Sequence, residues 1–137
     1  MSYFDQYLES RVLSASPVEL VRMMYRGALQ ASGAARLHFA SGDIAARTRA
    51  LNQAAALVTE LVMSLECPDT ESGKALEHNL RRLYDYVLYQ FTQAGIEQSP
   101  QPLHQAETVL HSLLEGWDSI EAEPAEPQFS EAISVSA

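Results

Sequence analysis

Four stretches of the chain carry apolar residues at alternating spacings of three and four positions, which is the spacing of one face of an α-helix. The first stretch has the clearest beginning. Ser16 suits the N-cap, Pro17 suits the first helical position because it lacks an N–H, and Glu19 can complete a capping box. The apolar stripe of this predicted helix consists of Leu20, Met24, Ala28, Ala31, Ala35 and Phe39.

The ends of the helices are predicted by glycine and proline. Gly42 followed by Asp43 ends the first helix and caps the second. We expect the second helix to end at Cys67-Pro68, because the residue before a proline is pushed out of the helical region. The third is predicted from about Gly73 to Ala94, with Gly95 as its end, and the fourth from about Gln101 to Glu121. The apolar stripe of the second helix consists of Ile44, Thr48, Leu51, Ala55, Val58, Val62 and Leu65. That of the third helix consists of Leu76, Leu80, Leu83, Val87 and Gln90/Phe91. That of the fourth helix consists of Leu103, Ala106, Leu110, Leu113, Trp117 and Ile120.

Short connections between these helices make sequential helices antiparallel neighbours. No segment alternates apolar and polar residues with the period of two that a strand requires. We therefore predict an all-α fold, an antiparallel up-down four-helix bundle over residues 1–121 that includes a short N-terminal helical segment. Residues 122–137 are predicted to be a disordered acidic tail, because proline and glutamate dominate its beginning; we expect it to be a solubilising extension rather than an interaction arm.

Composition and charge exclude several classes of protein. With 137 residues, 47% of them hydrophobic, the chain is predicted to be one globular domain. A net charge of −9 argues against nucleic acid as a partner. Cys67 is the one cysteine, so an internal disulfide cannot form and a reducing compartment fits. The sequence has no secretory signal pattern and no apolar run long enough to span a membrane, so we predict a cytoplasmic protein without membrane insertion.

The second and third predicted helices carry more apolar surface than an outer helix of a bundle needs. Besides its core stripe the third helix has Tyr84, Tyr86, Leu88, Tyr89 and Phe91, and the second adds Ala54, Leu57 and Leu61. This surplus is explained either by a wide core with exposed tyrosines or by a groove that accepts amphipathic helices of a partner. Near the N-terminus, Tyr3, Phe4, Tyr7 and Leu8 form one apolar face of a segment too short to be a stable helix alone.

Metal and catalytic patterns are weak. His104, Glu107 and His111 lie on one side of the fourth helix at spacings that a metal site can use, but the other helices supply few matching ligands. Phosphate-binding loops and nucleophile elbows are absent from the sequence, and Cys67 has no neighbouring base. We therefore predict no enzyme, no cofactor and no metal. A metal-binding or sensory four-helix bundle using these three residues is the alternative interpretation.

Several motifs occur in an order that is itself informative. They are Tyr7; Val12-Leu13-Ser14-Ala15-Ser16-Pro17-Val18-Glu19-Leu20; Met24-Tyr25-Arg26-Gly27-Ala28; Gly42-Asp43; Glu60-Leu61-Val62-Met63-Ser64-Leu65; Leu83-Tyr84-Asp85-Tyr86-Val87-Leu88; and Trp117. Together, over about residues 3–121, they resemble the flagellin export chaperone family of the FliS type. The chain departs from the family pattern at Arg26, where the family usually has Asp, and at Ser10 and Ser14, where it often has Asn and Thr.

The resemblance implies a cytosolic chaperone that binds the disordered C-terminal segment of flagellin, prevents premature polymerisation and presents flagellin to the gate of the flagellar type III export apparatus. It implies as partners flagellin and an export gate protein, with the chaperone itself a monomer or weak homodimer. The residues assigned to partner binding are Tyr7, Leu8, Leu51, Leu57, Leu61, Tyr84, Leu88 and Phe91. We further expect residues 1–10 to lie over part of the groove until cargo displaces them.

Overall fold

A computed structural model describes residues 16–121, and this part of the chain folds into four α-helices. They are α1 (Pro17–Ser41), α2 (Ile44–Met63), α3 (Glu71–Glu97) and α4 (Gln101–Glu121). No strand occurs within these residues, so the predicted all-α class is confirmed.

The predicted N-cap Ser16, the proline in the first turn and the glycine at the end of α1 are confirmed. The Ser16 hydroxyl oxygen accepts a hydrogen bond from the backbone N–H of Glu19 at 3.1 Å, as an N-cap does. Gly42 has φ 75°, a left-handed conformation that glycine adopts without steric cost, and its N–H donates to the carbonyl of Phe39. The carboxylate of Asp43 then accepts from the N–H of Ala46 at 3.1 Å and caps α2.

Three other predicted boundaries are wrong. α2 ends at Met63, before the proline, because the Leu65 N–H bonds to the carbonyl of Val62, three residues back, and so tightens the last turn. α3 begins at Glu71, since the Thr70 side chain accepts from the N–H of Gly73 and caps the helix there. It also continues past Gly95 to Glu97, where Gln98 takes the left-handed position with φ 52°.

Gly73 has a packing role rather than the role of marking a helix start. A Cβ at this position would lie 2.0 Å from the carbonyl oxygen of Pro68, so the connection between α2 and α3 passes against the bare backbone of α3. Only glycine permits this approach. The proline predicted to end α2 is thus part of the packing that begins α3.

The helices pack as a closed ring in which each contacts its neighbours in sequence and α1 also contacts α4. Arg22 of α1 pairs with Asp118 of α4, and Arg36 pairs with Glu107, so these two helices run antiparallel. This is the predicted up-down bundle. Its core is formed by Tyr25, Ala28, Ala31, Ala35, Ala50, Leu51, Ala54, Val58, Leu61, Leu80, Tyr84, Val87, Phe91, Ala94, Leu103, Ala106 and Leu110.

The core stripes of α2 and α3 are rotated from the predicted ones. On α3 the buried residues are Leu80, Tyr84, Val87, Phe91 and Ala94, whereas Leu76 and Leu83 are exposed. On α2, Ala54 and Leu61 are buried while Ile44 and Thr48 are exposed. The sequence offers two adjacent apolar stripes on each of these helices, and packing against the neighbouring helices selects between them.

A candidate partner-binding groove between α2 and α3

A groove runs between the N-terminal half of α2 and the C-terminal part of α3, with a volume of about 370 Å³. It is lined by Arg47, Thr48, Leu51, Asn52 and Ala55 of α2 and by Phe91, Thr92, Gly95 and Ile96 of α3. Leu51 and Phe91, both predicted to bind a partner, meet here. Their exposed fractions are only 9% and 3%, so they form the floor of the groove rather than its rim.

Small residues keep the groove open. Gly95 on α3 has no side chain, and a Cβ built there would lie 3.9 Å from the Leu51 Cδ1, an ordinary van der Waals distance. Ala55 is the corresponding small residue on α2. Ile96 stands at the edge with 70% of its surface exposed. An apolar floor with an exposed apolar edge is the form of surface onto which an amphipathic helix docks.

Among the residues of the described range 16–121 that line the groove, Arg47 is the one that carries a charge. Its side chain is half-buried, and its guanidinium carbon lies 4.6 Å from the centre of the Phe39 ring of α1. This cation–π stack holds the charge in place at the end of the groove.

Other residues predicted to bind a partner lie elsewhere. Leu61 and Tyr84 are each 2% exposed, so in this conformation they belong to the core and offer a partner almost no surface. Leu57 faces α1, where its Cδ1 lies 2.9 Å from the place that a Cβ on Gly27 would occupy. Leu88 is half-buried and packs against the core. Tyr7 and Leu8 lie outside residues 16–121, as does the predicted acidic tail, so these predictions stay predictions.

Tyr84 belongs instead to a buried polar network that the sequence pattern did not reveal. Its hydroxyl lies 2.6 Å from the hydroxyl of Tyr25, and the indole N–H of Trp117 donates to that Tyr25 oxygen at 3.3 Å. The network joins α1, α3 and α4. Burial raises the pKa of Tyr25, and burial together with the neighbouring Tyr25 raises the pKa of Tyr84, so both hydroxyls are held in the neutral form.

Comparison with known proteins identifies the family. The profile of the family described as "Flagellar protein FliS" matches residues 1–124. The chain belongs to the FliS family. The flagellar secretion chaperone FliS of Salmonella typhimurium is 34% identical over 120 residues, covering 87% of each chain. FliS of Vibrio cholerae is 28% identical over 123 residues, with 89% of this chain and 88% of that one covered. FliSB of Pseudomonas aeruginosa is 26% identical over 118 residues, with 86% and 91% covered.

The FliS relatives are named chaperones rather than enzymes, and the chemistry of this chain agrees. Burial, reinforced by the charge of Glu77, raises the pKa of the Cys67 thiol, which opposes formation of the nucleophilic thiolate. No helix in the described part of the chain is both long and apolar enough to cross a membrane.

The alternative interpretation as a metal-binding bundle loses its central ligand. Glu107 turns toward α1, where its Oε2 accepts hydrogen bonds from the Ser32 hydroxyl at 2.6 Å and from Arg36 Nε at 2.8 Å. A second Arg36 nitrogen donates to its Oε1 at 3.0 Å. Within residues 16–121 no three His, Cys, Asp or Glu side chains are placed to share an ion. The spacing of His104, Glu107 and His111 therefore does not produce a metal site.

Proposed function

We propose that this FliS-family chain is a cytoplasmic flagellar export chaperone. Its cargo is the C-terminal segment of flagellin, which it keeps from polymerising and delivers to the flagellar type III export apparatus. The names of its relatives support the flagellar secretion role, and the matches extend over most of each chain. The resemblance of the sequence motifs supports flagellin as the cargo.

The apolar groove between α2 and α3 is the observation that carries this proposal. Polymerising subunits bury amphipathic terminal helices against their neighbours, so a chaperone that prevents assembly must offer a substitute apolar surface. Binding of that surface alone shifts the subunit away from assembly, and no nucleotide is needed.

Exposed apolar side chains are concentrated on the same two helices, although among them Ile96 lines the groove and Tyr86 lies on the side that faces α4. Eight large apolar residues of the described region are exposed: Leu37, Ile44, Met63, Leu76, Leu83, Tyr86, Tyr89 and Ile96. All except Leu37 lie on α2 or α3. Because large apolar surfaces on a protein are typically interaction sites, these two helices are the side to which we assign cargo.

A substitution at the edge of the groove tests this assignment without disturbing the core. Ile96→Asp places a charge where cargo would bury an apolar side chain, and we expect it to weaken binding by about tenfold or more. The matched control is Leu37→Asp, because Leu37 is equally exposed, at 71% against 70%, but lies on α1 outside the groove. Calorimetry with a peptide of about the last 40 residues of the host flagellin measures both, and we expect a wild-type Kd at or below micromolar.

The outcomes separate clearly. Equal binding by Ile96→Asp and wild type would move the cargo away from this groove, whereas equal losses in both variants would indicate a nonspecific effect of charge. Thermal melts followed by circular dichroism should show both variants folded. A flagellin polymerisation assay completes the test, because a stoichiometric amount of the chaperone should delay filament growth, and no delay would contradict the proposed role.

A further inference from the structure

Arg47 differs from the other described arginines because it is half-buried and has no ion pair; Arg49 and Arg82 also have none within residues 16–121, but both are exposed. Arg22 and Arg36 pair with carboxylates of α4, and Arg81 pairs with Glu77 on its own helix. Within residues 16–121 the Arg47 guanidinium has no ion pair, although it is half-buried and fixed over Phe39. A guanidinium has five N–H donors, and its geometry matches a carboxylate.

We propose that Arg47 determines cargo specificity by pairing with a carboxylate of the segment that docks between α2 and α3. This inference rests on the proposed function and adds the chemistry of the cargo, an amphipathic helix with an aspartate or glutamate beside its apolar anchors. The anchors contact the floor at Leu51 and Phe91, and the carboxylate reaches the end of the groove where Arg47 stands.

The net negative charge of the chain increases the effect that the positive charge of Arg47 has on an acidic partner. The protein carries a net charge of −9, so an acidic segment approaching most of its surface is repelled. At the groove the one charged side chain among the described lining residues is positive, and it can attract such a segment. When a docked helix excludes water from the apolar walls, the charge pair strengthens, and the stack on Phe39 reduces the entropy lost in forming it.

The test compares Arg47 with Arg49, which lies two residues further along α2, is exposed and does not line the groove. Calorimetry with the flagellin C-terminal peptide at low and high salt is the measurement. We expect Arg47→Glu to weaken binding by about tenfold or more and Arg47→Gln by about threefold to tenfold, with the losses shrinking as salt rises. Arg49→Glu should change binding by less than about twofold, because an exposed charge outside the interface is screened.

Further variants test which chain supplies the carboxylate and whether the stack on Phe39 contributes. Changing each Asp and Glu of the peptide to Lys, one at a time, should identify a single change that restores binding to Arg47→Glu. Phe39→Leu keeps the charge but removes the stack, and we expect a loss smaller than that of Arg47→Gln. Deleting residues 122–137 should leave the Arg47→Glu loss unchanged; its disappearance in the shortened chain would assign the carboxylate to the chain's own acidic tail and overturn the proposal.

Failure of this inference and failure of the proposed function look different. A wild-type protein that does not bind the peptide contradicts the proposed function. A wild-type protein that binds, together with Arg47→Glu that binds equally well, contradicts only the role of Arg47. Equal losses in Arg47→Glu and Arg49→Glu would replace a specific pair with a general effect of charge and would also overturn it.

Discussion

The interface between α1 and α4 and the interface between α2 and α3 are built from different chemistry. The first is joined by charged pairs, Arg36 with Glu107 and Arg22 with Asp118, and by the hydrogen bond from the buried Ser32 to Glu107. The second contains a groove with an apolar floor, formed by Leu51 and Phe91, and an exposed apolar side chain, Ile96, at its edge.

The difference indicates which side of the bundle is complete by itself. Along α1 and α4 each hydrogen-bonding group named above has a partner within the chain, and a competing ligand would have to break charge-assisted bonds. Along α2 and α3 apolar surface is exposed to water, and the free energy falls when a partner covers it. A chaperone needs both: one interface that keeps the bundle intact and another that exchanges partners.

The largest effect on stability is expected at the first of these interfaces. Glu107→Ala leaves the Ser32 hydroxyl buried without its acceptor and removes the bidentate partner of Arg36. We expect the free energy of unfolding to fall by about 2–3 kcal/mol, because an unsatisfied buried polar group and a lost charge-assisted bond both contribute. Urea denaturation followed by circular dichroism measures it.

Glu115→Ala is the matched control, since Glu115 is an exposed glutamate on the same helix. It should change stability by less than about 0.5 kcal/mol. Cargo binding should survive in both variants under conditions where they are folded. Equal stability of Glu107→Ala and wild type would remove the distinction between the two interfaces.

A smaller effect is expected from the tyrosine network that joins α1, α3 and α4. Tyr84→Phe removes the hydroxyl bonded to Tyr25, and we expect a loss of about 1–2 kcal/mol. The two tyrosines have pKa values raised in the folded state above about 10, their value when unfolded. Their stabilising contribution is therefore complete below pH 10 and is lost as the pH rises above it.

Urea denaturation at pH 8 and at about pH 11 tests the sign of this effect. The wild-type free energy of unfolding should fall between the two values, and Tyr84→Phe should fall less because one of the two buried hydroxyls is gone. Tyr89→Phe, at an exposed tyrosine of the same helix, is the control for removal of a hydroxyl and should change the free energy of unfolding at pH 8 by less than about 0.5 kcal/mol. A fall in Tyr84→Phe as steep as that of wild type would assign the alkaline loss to other groups.

The smallest change in stability is expected at the groove, and it has the opposite sign. Gly95→Ala should stabilise α3 by about 0.5–1 kcal/mol, because alanine favours a helix interior and its Cβ meets Leu51 at an ordinary distance. The added methyl group narrows the groove, so we expect cargo affinity to fall severalfold. Gly116→Ala on α4, where a Cβ meets nothing within 4 Å, should give a similar gain in stability with unchanged affinity. Unchanged affinity in Gly95→Ala would place the cargo elsewhere.

Local signals predicted much of this fold. The helix caps at Ser16, Gly42 and Asp43 use hydrogen bonds between residues only three or four positions apart. Such caps can therefore be predicted from a short stretch of sequence. The end of α3 was predicted wrongly at Gly95, because a glycine can also lie inside a helix. The left-handed residue that follows the helix is Gln98. The surplus apolar residues were predicted on α2 and α3, and the structure has a groove between these helices; of the residues predicted to bind a partner, Leu51 and Phe91 line it.

The residues missed were those whose role depends on a distant segment. Leu57 and Leu61 looked like surplus surface, yet one packs on α1 at Gly27 and the other is buried in the core. The position of Arg47 in the groove was not predicted, because it depends on Phe39 of another helix and on the groove between α2 and α3. The spacing of His104, Glu107 and His111 is one that a metal site can use, but Glu107 pairs with Arg36 instead.

By itself the sequence determined four amphipathic helices, their main caps, the all-α class and the family, since each of these depends on residues near one another or on motifs in order. The tertiary structure alone decided which of two apolar stripes on α2 and α3 became core and which stayed partly or fully exposed. Both stripes satisfy helical periodicity equally well, and the free energy of burial that separates them arises only when the other helices pack against one of them.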